Sequence, residues 1–241
     1  MYAELEVEDV PIEFQDAYPA VPVFTDIHSA AGQRITATAC EDGFLKLTIV
    51  DEDKDEILKS WTRNFDGPLT CVSILKPSLF KDALYPAFRA EKITLPKRKT
   101  EETLSMVDGY SMGASRIFKD IRTTGLECDE NLSSSELCDC VTCICAADLN
   151  FNGRLAILLG TFSQELLAYT QLEESGSWEL TWQKNFPAPI LSIKYADLTG
   201  DGVKEIVVIT SQDVQILQHD LETVKDTALR RLNLLADLVQ S

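Results

Sequence analysis

One stretch constrains the fold more than any other, because it recurs. It runs from Trp182 to Gln218, WQKNFPAPILSIKYADLTGDGVKEIVVITSQDVQILQ. Trp182 ends one strand. Phe186-Pro187-Ala188-Pro189 is a stiff crossing that helix interior does not tolerate. Ile190 to Tyr195, Ile206 to Thr210 and Val214 to Leu217 are short apolar strands. An Asp/Gly loop, Asp197 to Glu205, joins the first two, and the polar turn Ser211-Gln212-Asp213 joins the last two as a hairpin requires.

The same grammar appears twice more. Ile144 to Tyr169, ICAADLNFNGRLAILLGTFSQELLAY, aligns with it when Asp148 is set on Asp197, 49 positions on; Gly153 then meets Gly202, and Leu158 meets Val207. Near the start, Trp61-Thr-Arg-Asn-Phe65-Asp-Gly-Pro68-Leu matches Trp182-Gln-Lys-Asn-Phe186-Pro-Ala-Pro189-Ile. Trp61 and Trp182 are therefore expected at equivalent positions of successive units, each beside its crossing. A strand-rich unit of about 50 residues that repeats is the signature of a β-propeller blade.

The predicted fold is all-β, a propeller array of about four blades forming an incomplete ring, followed by one helix. Residues 1–20 read as an acidic lead-in, 21–220 as blades and 221–241 as the C-terminal helix. Phe24 to Trp61 is the first unit. Leu69 to Leu75 opens the second, which Leu104 to Lys119 completes. Val141 to Trp182 and Ile190 to Leu217 are the third and fourth. Residues 76–103, with three prolines and the basic run Lys97-Arg98-Lys99, read as a surface excursion, and Glu127 to Glu136 as a loop. From Leu221 to Val239, apolar residues at spacings of three and four mark one face of an amphipathic helix. An open array leaves a blade face and a sheet edge uncovered, so the isolated chain is expected to associate.

Composition excludes several functions. The 241 residues carry a net charge of −17, which disfavours nucleic acid and anionic membrane surfaces as partners. No apolar run resembles a signal peptide or a membrane span, so a cytoplasmic protein without membrane insertion is expected. The seven cysteines are then read as reduced thiols.

Candidate chemistry is sparse. In the fourth unit Asp197, Thr199, Asp201 and Glu205 surround Gly202 at the spacing of a short calcium loop, alternate oxygens wrapping a hard cation. The alternative is an Asx-type turn whose side chains bond their own backbone. The third unit repeats the pattern with Asp148, Asn150, Asn152 and Gly153, but Ala156 stands at the closing position. Cys138, Cys140, Cys143 and Cys145 do not have the paired knuckle spacing of a zinc site, and Cys143 and Cys145 alternate on one side of a strand. His28 and His219 adjoin no nucleophile motif, and no phosphate loop occurs. No catalytic residue and no cofactor-binding residue is assigned.

The runs ADLNFNGRLAILLGTFSQELLAY, LTWQKNFPAPIL, ADLTGDGVKEIVVITSQDVQILQHDL and RITATACEDGFLKLTIVD resemble, in order, the C-terminal half of the kaptin family, FG-GAP-type β-propellers nearly twice this length. The resemblance implies a non-enzymatic scaffold subunit of the KICSTOR complex, with its FG-GAP-repeat partner and large scaffold subunit as neighbours. It further implies recruitment of a GATOR-type complex to the lysosomal surface and restraint of TOR complex 1 in amino-acid or glucose starvation. An alternative implied role is binding of F-actin at actin-rich cell edges.

Overall fold

The computed structural model describes residues 22–30, 32–75, 104–151, 154–172 and 176–240. The acidic lead-in and the basic run Lys97-Arg98-Lys99 lie outside them. Four antiparallel sheets follow one another along the chain, each built of consecutive strands. The first contains β1 (Pro22–Ala30), β2 (Gln33–Cys40), β3 (Phe44–Asp51) and β4 (Glu56–Asn64). The second contains β5 (Leu69–Leu75), β6 (Ser105–Tyr110), β7 (Gly113–Phe118) and β8 (Asp129–Asn131). The third contains β9 (Val141–Ala147), β10 (Ala156–Thr161), β11 (Glu165–Gln171) and β12 (Trp178–Asn185). Among the described residues the fourth contains β13 (Ile190–Ala196), β14 (Glu205–Thr210) and β15 (Val214–Leu217), after which the chain enters α1 (Leu221–Gln240). This is the expected all-β series of propeller blades with a C-terminal helix.

Alternation along each strand gives every blade two faces, and the core is three separate clusters, one between each consecutive pair of blades. Ile35, Leu45 and Leu47 of blade 1 meet Val72, Met106 and Phe118 of blade 2. Cys71, Val107 and Ile117 of blade 2 meet Ile157, Leu159 and Tyr169 of blade 3. Leu158, Leu166 and Ala168 of blade 3 meet Ile193, Ile206 and Val208 of blade 4. Among the described residues no such cluster joins blade 4 to blade 1, so the array is an open arc. We call the side of a blade turned toward the next one its forward face, and the opposite side its rear face.

The repeat is legible in the hydrogen bonds. The first strand carries a bulge at Thr70, Thr142 and Leu191 in blades 2 to 4. Thr70 Oγ1 donates toward Gly109 O of its own blade and Val141 O of the next, at 3.0 and 2.5 Å; Thr142 Oγ1 repeats this toward Gly160 O and Ile190 O, at 3.0 and 2.5 Å. The crossing phenylalanines close equivalent turns: Phe65 N donates to Gly43 O and Phe186 N to Gln164 O. Gly43 holds φ +86°, and a Cβ there would fall 2.3 Å from Phe65 O, so only glycine fits.

Three expectations are corrected. Glu127 to Glu136 is not only loop: it contains β8, which pairs with β7, and the start of a single 3-10 turn, Ser135–Leu137. Its polar residues gave no alternation to read. Trp182 does not end its strand, which continues to Asn185. Trp61 and Trp182 do hold equivalent positions, opposite Leu47 and Ala168, but in blades 1 and 3 rather than in successive ones. Their environments also differ. Trp61 packs into the first core beneath Gly125 of blade 2, whereas Trp182 is 40% exposed because three-stranded blade 4 does not reach that far out.

Candidate functional site

The Asp197 loop gathers all four of its singled-out residues into one connection between β13 and β14. Asp197 Oδ1 accepts from Gly200 N at 2.7 Å and Oδ2 from Gly202 N at 2.9 Å. Asp201 Oδ1 accepts from Val203 N at 2.8 Å. Glu205 is buried, accepting from Leu198 N at 2.8 Å and from Thr199 Oγ1 at 3.1 Å. Each carboxylate thus caps backbone N–H groups of the loop itself, the pattern of an Asx turn. Among the described residues no group of three or more His, Cys, Asp or Glu is assembled as a metal site. In the third unit Asn152 and Gly153 lie outside the described residues; Asp148 O accepts from Tyr195 Oη at 2.9 Å, linking this loop to blade 4.

The cysteine run divides between environments. Cys143 and Cys145 pack on the blade 3–blade 4 core, both facing one side as their alternation predicts. Burial pushes both thiols up to about 11, and pushes Cys71 higher still. Such thiols stay protonated near neutrality, whereas ligands and nucleophiles must be thiolates. His219 packs against Phe151 in a tilted contact, ring centroids 4.5 Å apart, and desolvation lowers its pKa against the opposing pull of Glu205 and Asp148.

Sequence reading missed a polar strap between blades 1 and 2. Asp129 accepts from Arg63 Nη1 at 2.7 Å and Arg116 Nη1 at 3.4 Å, and the two guanidinium groups lie 4.9 and 4.8 Å from the Phe65 ring. Behind it, Asp108 is fully buried, accepting from Arg116 N and Tyr110 Oη; desolvation nevertheless raises its carboxyl to about 7. The only sequence signal was Arg63 inside the Trp-x-x-Asn-Phe repeat. A shallow groove lined by Trp61, Thr62, Arg63, Leu126 and Glu127 runs beside this strap. These features tie blades together; what the arrangement offers to other molecules is broad sheet faces and edges, as stacked repeats do.

Comparison with known proteins agrees with this architecture. Crystal structures of BBS1N in complex with ARL6DN, soaked with mercury or with lead, superpose with TM-scores of 0.51 and 0.50 at 13% identity. They cover 85% and 87% of this chain and 54% and 53% of theirs, which shows a shared fold. The mouse KICSTOR complex protein kaptin is 30% identical over 236 residues, 96% of this chain and 52% of the relative. The chain therefore spans about half the length of that relative. The family model described as KICSTOR complex protein kaptin matches residues 1–229, and with four blades, repeated crossings and the Asp197 loop all in place, the chain belongs to the kaptin family.

Proposed function

We propose that the protein is a non-enzymatic scaffold subunit of a KICSTOR-type complex at the lysosomal surface. There it helps recruit a GATOR-type complex and so restrains TOR complex 1 when amino acids or glucose run short. The family match over residues 1–229 carries this reading. The fold supports it: an open series of sheets presents faces and edges for protein partners, among them an FG-GAP-repeat subunit and a large scaffold subunit. The net charge of −17 suits such contacts better than nucleic acid.

Affinity purification of the endogenous full-length protein tests the reading. KICSTOR-type subunits are expected to co-purify in comparable amounts, and deletion is expected to leave TOR complex 1 active in starved cells. Recovery of filamentous actin without those subunits would replace it with a cytoskeletal role.

A further inference from the structure

Where blades 2 and 3 meet, the strand ends break the repeat in a way that core packing does not explain. In blades 2 to 4 the turn between second and third strands closes on the preceding crossing: Ser111 N donates to Pro68 O, Phe162 N to Cys140 O and Ser211 N to Pro189 O. Ser111, Phe162 and Ser211 are therefore equivalent, and blade 3 alone of these puts a phenylalanine there, 56% exposed. The next residue in blade 2 is Met112, 77% exposed, where blades 3 and 4 have Ser163 and Gln212. Between the two turns runs the crossing from β8 to β9, residues 132–140. The other crossings turn an apolar side chain inward, Phe65 against the first core and Phe186 into the third. This one turns Leu137 outward, 83% exposed.

The crossing is a fixed platform. Ser135 Oγ donates to Leu132 O at 2.7 Å, Leu132 N to Ser115 O and Cys138 N to Ser135 O. A Cβ on Gly113 would fall 2.5 Å from both Ser135 O and Cys138 O, so the Met112 turn sits directly on the crossing. Phe162 is tied to its far end through Cys140. The three side chains thus follow one path over the strand ends, where neither forward nor rear faces bury them. Carboxylates surround that path. Glu136 and Asp139 are exposed and, among the described residues, pair with no cation. Burial raises the Cys138 thiol, and the charges of Glu165 and Glu136 raise it further; Asp139 does the same to Cys140. All three acids therefore lie close about the crossing. Lys184, opposite Leu166 at this end of blade 3, is held over the Phe186 ring at 5.7 Å.

We propose that Met112, Leu137 and Phe162 form a docking surface for a basic amphipathic segment of a partner protein, one that combines aliphatic or aromatic side chains with Lys or Arg. Single exposed apolar residues are ordinary, but several gathered on one rigid platform mark an interaction site. Its preorganisation lowers the ordering cost of binding. The acidic rim selects the occupant: it attracts a basic segment, and it repels an anionic membrane and a second copy presenting the same rim.

This inference rests on exposure and charge and stands apart from the complex proposed above. Its test uses the purified full-length protein and, as probe, a fluorescent synthetic peptide of alternating leucine and lysine, with its leucine–glutamate counterpart as control. Anisotropy is read at physiological salt, where unspecific attraction to a charged surface is screened. The lysine peptide should bind and the glutamate peptide should not. Leu137→Ser with Phe162→Ser should raise the dissociation constant about tenfold or more. Ile57→Ser with Leu58→Ser, exposed apolar residues on the outer strand of blade 1, should leave it unchanged. Should the first double variant fail to fold, Glu136→Lys with Asp139→Lys carries the test, because it should reverse the preference between the two peptides. No binding of the lysine peptide, or binding indifferent to both sets of changes at the site, would overturn the proposal. So would capture by phosphatidylserine vesicles, in favour of a membrane, or self-association lost with Leu137→Ser and Phe162→Ser, in favour of a second copy.

Discussion

Gly160→Ala tests whether blade spacing is set by backbone approach. Gly160 has an ordinary negative-side φ, so the substitution carries no conformational strain, only a steric one. The added Cβ would sit 2.7 Å from Cys143 Sγ, 2.7 Å from Ile190 Cγ2 and 3.1 Å from Ile193 Cδ1. Two of those atoms belong to blade 4 and are buried, with little room to turn. Overpacking of this kind costs about 1–3 kcal/mol. For a domain of this size that lowers the melting temperature by roughly 2–12 °C. Gly67→Ala is the internal control: its Cβ would meet only Tyr110 Cδ1, at 4.0 Å, so it should be neutral or slightly stabilising through the unfolded chain. Calorimetry on both variants decides the matter, with Cys143→Ala added to Gly160→Ala to relieve one clash. If Gly160→Ala melts with wild type or with the Gly67 control, close approach at this glycine does not hold blades 3 and 4 together.

Thr142→Val removes the hydroxyl between blades 3 and 4 at nearly constant volume, and should cost about 1 kcal/mol in urea denaturation. Asp108 binds its proton more tightly folded than unfolded, so its neutral form stabilises the fold below pH 4 and that contribution fades as pH rises through about 7. Thermal melts from pH 5 to 8 should therefore fall less steeply for Asp108→Asn than for wild type. Asp197→Ala strips acceptors from Gly200 N and Gly202 N and should lower the melting temperature equally in calcium and in chelator; stabilisation of the wild type by calcium would show that the loop holds the cation.

Much of the fold was legible in sequence because each blade repeats the same local grammar. The crossing phenylalanines, the Asp/Gly connection and the polar turn before Val214 announced blades 1, 3 and 4 with their strands nearly in place. Blade 2 was harder, since the 29 positions between Leu75 and Ser105 separate two strands that pair directly. Its outer strand, Asp129–Asn131, is three polar residues held by β7 and by Leu132 N donating to Ser115 O, with no periodicity to betray it. The equivalence of Trp61 and Trp182 could be read from spacing. Their different exposure could not, because it depends on how far the neighbouring blade extends. The Arg63–Asp129–Arg116 strap was hidden for the same reason: its members are brought together only when two blades stack.

Separate cores between blades also give the molecule a gradient of cooperativity. Blades 2 and 3 are each clamped on both faces, while blade 1 and blade 4 each share one core. In a linear array of nearest neighbours, terminal units open at lower free energy than internal ones. Blade 4, with three strands and an uncovered face, is the unit that frays first, and amide exchange should spread inward from it. A neighbour that covers this face would then do more than add contacts: it would convert the weakest link of the array into an interior one, coupling assembly to the rigidity of the whole chain.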